Sequence, residues 1–240
     1  VAGVAAWRVW RAEGGALPMA VAGHSLGEYS ALVAAGVLTL AQATPLVRLR
    51  AAAMQEAVPV GSGAMAAILG LDASKVIAVC AEVTSAYGQN EQETVEAVNF
   101  NDPSQTVIAG SKAAVERACE ALKAAGAKRA LPLPVSAPFH SSLMRPAAEK
   151  LRTALAATEM AAPQIPVVNN IDVAVQTDVD AIRDALYRQA FGPVRWVEGI
   201  RQLKAMGATH IIECGPGKVL TGLVRRIDAE LTGAAVFDPA

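Results

Sequence analysis

The chain has 240 residues, of which 53% are hydrophobic and 18% charged, with a net charge of -1. That is ample for a buried core, in one large domain or a domain with an insertion, and it excludes a nucleic-acid binder that relies on bulk positive charge. No apolar run approaches the length of a membrane span, and Cys80, Cys119 and Cys214 lack metal-ligand spacing, so they are expected as small core residues of a reducing, cytoplasmic setting.

Val1 to Arg11 alternates apolar and basic residues at helical spacing, and Gly14-Gly15 ends the helix. It opens as if in mid-helix, so residues before Val1 are expected. A short strand and a second helix follow, the helix closing near Gly36. Thr39-x-x-Gln42 predicts a capping box for a third helix to about Ala57, with a kink at Pro45 or a start nearer to it. Pro59 to Gly63 is a linker. Residues 63 to 135 then predict, in order, a strand (64–71), a helix capped by Asp72 (to 86), a polar loop (87–94), strands 95–101 and 105–110 around an Asn101-Asp102-Pro103-Ser104 turn, a helix (112–125) stopped by Gly126, and a strand (128–135). That β-α-β-β-α-β order is ferredoxin-like, a small subdomain (61–135) inserted into a larger one (1–60 and 136–240). The remainder predicts a loop at 136–141, a helix at 143–157, a short strand at 165–170, helices at 180–189 and 194–206, a buried strand at 209–213, a Gly-Pro-Gly turn and a closing helix at 218–231. Alternating strands and helices imply a largely parallel sheet covered on both faces.

The stretch Met19 to Tyr29 organises the rest. Its small apolar run enters Gly23-His24-Ser25-Leu26-Gly27, and a helical pattern follows at once. A bare G-x-S-x-G arises by chance roughly once in ten chains of this length, but strand, turn and helix together describe a nucleophile elbow with Ser25 at its apex. Glycines at 23 and 27 are expected to let strand and helix approach. The turn aims the Ser25 hydroxyl and the Leu26 backbone N–H at one place, over a helix N-terminus that favours developing negative charge.

Three histidines could serve the serine as base. His24 is its neighbour and should point away. His210 lies within a strand, as a structural histidine would. His140 lies in a loop after a strand, stiffened by Pro134 and Pro138, where α/β sheets place their chemistry, so it is the candidate base. Arg50 falls on the inward stripe Leu46, Leu49, Ala53, Met54, Ala57 of its helix, while Arg48 falls off it. An inward arginine needs an anion, either a buried carboxylate or a ligand whose planar carboxylate matches its fork.

The chain resembles the malonyl-CoA:acyl carrier protein transacylase family, which includes acyltransferase domains of polyketide synthases. The resemblance covers essentially all residues and rests on the segments 23–32, Gln55-Glu56-Ala57-Val58-Pro59, 63–67, Val98-Asn99-Phe100-Asn101, Ala137-Pro138-Phe139-His140-Ser141, Val167-Val168-Asn169-Asn170 and Glu213-Cys214-Gly215-Pro216-Gly217. It implies an α/β-hydrolase-like core with a ferredoxin-like insert. It implies Ser25 as nucleophile, His140 as base, Arg50 as the binder of the malonyl carboxylate, Leu26 N–H as an oxyanion donor, and Gln189 as the residue whose carbonyl orients the histidine. Phe139 is expected over the malonyl C2, and Asn170 among the substrate-binding residues. The implied reaction is two-step transfer from malonyl-CoA to the phosphopantetheine thiol of acyl carrier protein; no cofactor is expected, and a monomer is expected though the sequence does not show oligomeric state. Family members begin with a strand bearing Gly-Gln-Gly-Ser-Gln, which contributes a second oxyanion donor; this sequence contains no such motif. Two rival readings are a serine hydrolase, which would put its histidine near the chain's end after an acid, and a fragment that only binds carrier protein. The basic residues Lys112, Arg117, Lys123, Lys128 and Arg129 suit an acidic carrier protein and a solvated helix face equally.

Overall fold

The structure, a computed structural model, describes residues 1–87, 93–135 and 137–237. Most of the polar loop expected at 87–94, and Ser136 of the loop before His140, lie outside the described residues.

Helix α1 (Ala2–Ala12) leads to strand β1 (Val21–Ala22), the elbow and helix α2 (Gly27–Ala34). The approach of β1 to α2 depends on Gly23: a Cβ there would lie 2.0 Å from the Gly27 carbonyl carbon. At Gly27 the expectation fails, because a Cβ there meets nothing within 4 Å. Helix α3 (Leu40–Glu56) carries the capping box, Thr39 and Gln42 each accepting from the other's backbone N–H. The box starts the helix at Leu40, so the start is not set near Pro45, which sits inside the helix.

Strands β2 (Gly63–Leu69), β3 (Val95–Asp102), β4 (Gln105–Ser111) and β5 (Arg129–Pro132) form an antiparallel sheet in the order β3-β4-β2-β5. Helices α4 (Ala73–Tyr87) and α5 (Lys112–Ala124) cover one face of it. Ile68, Val76, Cys80, Ile108, Ala118 and Leu122 close a core there that is separate from the others.

After a 3₁₀ turn (Ser142–Met144) come α6 (Arg145–Ala157), β6 (Val167–Val168), α7 (Val179–Gln189), α8 (Trp196–Ala205), β7 (His210–Cys214), α9 (Val219–Ile227) and β8 (Thr232–Val236). The expected single parallel sheet is, among the described residues, two separate parallel ladders, β1-β6 and β7-β8. Strand β8 was not foreseen; the closing helix ends at Ile227, and Thr232–Val236 turns back beside β7. Nor is β7 buried: His210 is exposed and Ile212 is 39% exposed, because β8 is its one paired neighbour among the described residues. A core of Tyr29, Leu32, Leu46, Leu151, Leu155 and Leu186 binds α2, α3, α6 and α7 around the elbow. A second, with Val168, Trp196, Ile200 and Val224, packs α8 and α9 against β6. Backbone bonds from Phe100 to Val194 and from Val194 to Val98 join β3 to the segment before α8. No described helix is long and apolar enough to cross a membrane.

Candidate active site

Ser25 stands at φ 51°, in the left-handed region that L-residues seldom occupy. The strain is held by the backbone bonds of the elbow, Gly27 N–H to His24 carbonyl at 2.9 Å and Glu28 N–H to Ser25 carbonyl at 3.1 Å. Asn170, just past β6, braces the same turn: its Oδ1 accepts from Ser25 N–H at 2.7 Å and its Nδ2 donates to the Gly23 carbonyl at 2.9 Å. The Asn170 side chain is thus turned to the elbow backbone rather than to the Ser25 hydroxyl, which corrects the expectation of a substrate-facing residue. The Leu26 N–H has no acceptor among the described residues, and the residue is 49% exposed.

His140 reaches the serine from the loop before α6. It too has positive φ, 67°, which nothing in its sequence announced. Its Nε2 lies 2.6 Å from Ser25 Oγ and its Nδ1 2.8 Å from the Gln189 carbonyl oxygen. A carbonyl can only accept, so Nδ1 carries the proton and Nε2 is free to accept from the serine hydroxyl. Burial, with the charge of Arg50 adding to it, lowers the His140 pKa from 6.5 to about 3. The imidazole is therefore a neutral base across the physiological range.

Arg50 is 7% exposed, and Arg48 is exposed, as the helical stripe predicts. Its Nη2 donates to Ser25 Oγ at 3.1 Å and to Gln189 Oε1 at 3.2 Å, and its Nε has no partner. It makes no ion pair among the described residues. Burial lowers its pKa. A desolvated cation beside the nucleophile, with unsatisfied donor capacity and no carboxylate paired to it, is suited to an incoming anion.

Gln189, wholly buried, holds the site at both ends: its carbonyl takes His140, and its side-chain amide reaches Arg50 through Oε1 and the Ser25 carbonyl through Nε2 at 3.1 Å. The side-chain role was missed. So was Glu28, 2% exposed, whose carboxylate accepts from Gln189 Nε2 and Asn170 N–H. A signal existed, since Glu28 shares a helical face with Leu32, and an inward carboxylate demands partners as an inward arginine does. Burial raises its pKa from 4.5 to about 7.

Phe139 is partly buried and packs against two clusters, one with Met65, Ala67 and Val98 and one with Ala53, Met54 and Met144. His24 turns away from the serine as expected: its Nε2 lies 2.8 Å from Asn101 Oδ1 and its ring meets Trp196 edge-on. His210 is exposed, beside the Thr209 hydroxyl, and takes no part. Among the described residues no group of three or more His, Cys, Asp or Glu is placed to hold a metal ion.

Residues 1–233 match the family of acyl transferase domains. The chain is 56% identical to a malonyl CoA-acyl carrier protein transacylase of Salmonella typhimurium, over 239 residues that cover 100% of this chain and 75% of that protein. It is 55% identical to one from Escherichia coli K12, with the same coverage. Among solved structures, an acyl-carrier-protein S-malonyltransferase from Burkholderia pseudomallei aligns with a TM-score of 0.95 and 63% identity, over 99% of this chain and 76% of that one. A malonyl-transacylase in complex with a type II polyketide-synthase acyl-carrier protein aligns with a TM-score of 0.94 and 55% identity, over 99% of this chain and 75% of that one. With Ser25, His140 and Arg50 converged on one point, and with likeness running through nearly its whole length, the chain belongs to the family of acyl transferase domains.

Proposed function

We propose that this chain transfers the malonyl group of malonyl-CoA to the phosphopantetheine thiol of an acyl carrier protein, through a malonyl ester on Ser25, in fatty-acid synthesis. The observation that carries it is a buried arginine with no ion pair among the described residues, 3.1 Å from the hydroxyl of a serine that is also bonded to a neutral histidine. A hydrolase for neutral acyl chains has no use for that cation. The names of the relatives support the same chemistry.

His140 Nε2 takes the Ser25 proton as Oγ bonds to the thioester carbonyl carbon. The oxyanion that forms faces the Leu26 N–H. The C–S bond then breaks, and the departing coenzyme A sulfur takes the proton from His140. Arg50 keeps the acyl group in place through its free carboxylate. The carrier thiol gives its proton to His140 and attacks the ester, and Ser25 leaves with that proton restored. Gln189 orients His140 throughout, Asn170 braces the elbow, and Phe139 borders the acyl C2, where a methyl branch is worth ~1–3 kcal/mol.

We further propose an α/β-hydrolase-like large subdomain (1–60 and 136–240) and a ferredoxin-like small one (61–135), an assignment supported by the separate core under the antiparallel sheet. The working form is a cytoplasmic monomer. Three free cysteines suit a reducing setting, Cys80 pushed up to about 12 by burial.

The test is intact mass after brief exposure to malonyl-CoA, with acetyl-CoA in parallel. A malonyl adduct in preference to acetyl, abolished by Ser25→Ala, is expected. An adduct that survives Ser25→Ala, or rapid hydrolysis of malonyl-CoA by water without carrier protein, sinks the proposal.

A further inference from the structure

Behind the Ser25–His140 pair lies a carboxylate that none of the transfer steps uses. Glu28 is the second residue of α2, and its side chain points inward, where an apolar residue would pack without the cost of burying a charge. Its Oε2 accepts from Asn170 N–H at 2.9 Å and from Gln189 Nε2 at 3.0 Å. Gln189 Nε2 also donates to the Ser25 carbonyl, so both amide protons face away from Arg50 and Oε1 faces it. Chemistry dictates that orientation. A carboxylate only accepts and a guanidinium only donates, so an amide between them must give its NH2 to the first and its oxygen to the second. Through this one amide Glu28 reaches the Arg50 nitrogen that touches Ser25 Oγ.

We propose that Glu28 is a positioning residue for malonyl recognition: acting through the Gln189 side chain, it holds the Arg50 guanidinium at the Ser25 hydroxyl, where the free carboxylate of the acyl group binds. The proposal rests on the function given above. Without the charge of an ionised Glu28, the Gln189 amide loses the charge-assisted hold on its NH2 and keeps only neutral acceptors such as the Ser25 carbonyl. Its NH2 can then turn to Arg50, two donors face each other, and the guanidinium moves off the nucleophile. The link to His140 runs through the Gln189 backbone and is untouched, so the loss falls on selectivity for the charged acyl group.

The test is the rate of Ser25 acylation in the 240-residue chain by malonyl-CoA and by acetyl-CoA at about pH 8. Glu28→Gln keeps the shape and removes the charge. The malonyl-over-acetyl preference is expected to fall by ~10-fold or more, while acetylation changes by less than about threefold. In the Arg50→Ala background the same substitution should leave the preference where Arg50→Ala has put it, because the two act in series. A preference kept in Glu28→Gln, or an equal fall for both substrates, overturns the proposal. If Glu28→Gln does not fold by circular dichroism, Gln189→Ala decides: it deletes the amide, keeps the carbonyl that holds His140, and must also lower the preference. A native chain that forms no malonyl adduct, or shows no preference, overturns the proposed function, and the role of Glu28 with it. A native chain with the preference intact isolates the fate of Glu28 alone.

Discussion

Ser25 and His140 both stand at positive φ, a strain of roughly 1–3 kcal/mol each that persists because the surroundings over-determine it. For Ser25 those surroundings are the elbow bonds and Asn170; for His140 they are the Gln189 carbonyl and the turn bonds Phe139 N–H to Ala137 and Ser141 N–H to Pro138. The His140 pKa of about 3 has a kinetic consequence. An ordinary imidazole, half protonated at 6.5, would lose half its base form there. Ser25 acylation by acetyl-CoA, which does not call on Glu28, should instead stay flat down to about pH 5. Single-turnover rates across that range check it; a fall centred near 6.5 would mean that His140 is not the buried base. Ser25, His140 and Arg50 were each legible because a residue type stood out from its local pattern. Glu28 was visible in the same way, but its meaning was not. Which groups an inward carboxylate meets depends on Asn170 and Gln189, 142 and 161 residues away.

At the scale of elements, the two elbow glycines separate. A side chain at position 23 collides with backbone at 2.0 Å, which cannot yield as a flexible side chain would. Gly23→Ala should cost more than ~3 kcal/mol or prevent folding. Gly27→Ala, with open space at its Cβ, should be neutral or stabilise by up to ~1 kcal/mol through helix propensity. Urea denaturation of the two variants checks both, and equal destabilisation would refute the distinction. The helices were legible from caps and periodicity, since Thr39, Asp72 and Ser111 each accept from a backbone N–H three residues on. Strands β1 and β6 are two residues long and β8 was missed altogether. Parallel pairing joins segments far apart, Val21 with Val167 and His210 with Thr232, so no local pattern reveals it.

For the molecule as a whole, Glu28 and His140 give folding stability opposite dependences on pH. The folded His140 pKa of about 3 lies below its ordinary 6.5, so its contribution is full above 6.5 and is lost as pH falls. The folded Glu28 pKa of about 7 lies above its ordinary 4.5, so its contribution is full below 4.5 and is lost as pH rises through 7. Between 4.5 and 6.5 the two slopes oppose one another. Glu28→Gln removes one of them, and the gap in stability between variant and native should therefore change by up to about 1.4 kcal/mol per pH unit in that window. Urea midpoints at three pH values measure it. A constant gap would mean that the folded Glu28 pKa is not raised above its unfolded value.

The sequence by itself determined the elbow, the helices, the β-α-β-β-α-β segment and the residue types able to carry acyl transfer, because caps, turns and hydrophobic periods act over a few residues. Only the tertiary structure decided that His140 lends Nε2 to Ser25, that Arg50 lacks a carboxylate partner among the described residues, and that one buried amide links Arg50 to Glu28. Those facts depend on hydrogen-bond directions between groups more than a hundred residues apart, which exist only once the chain has packed.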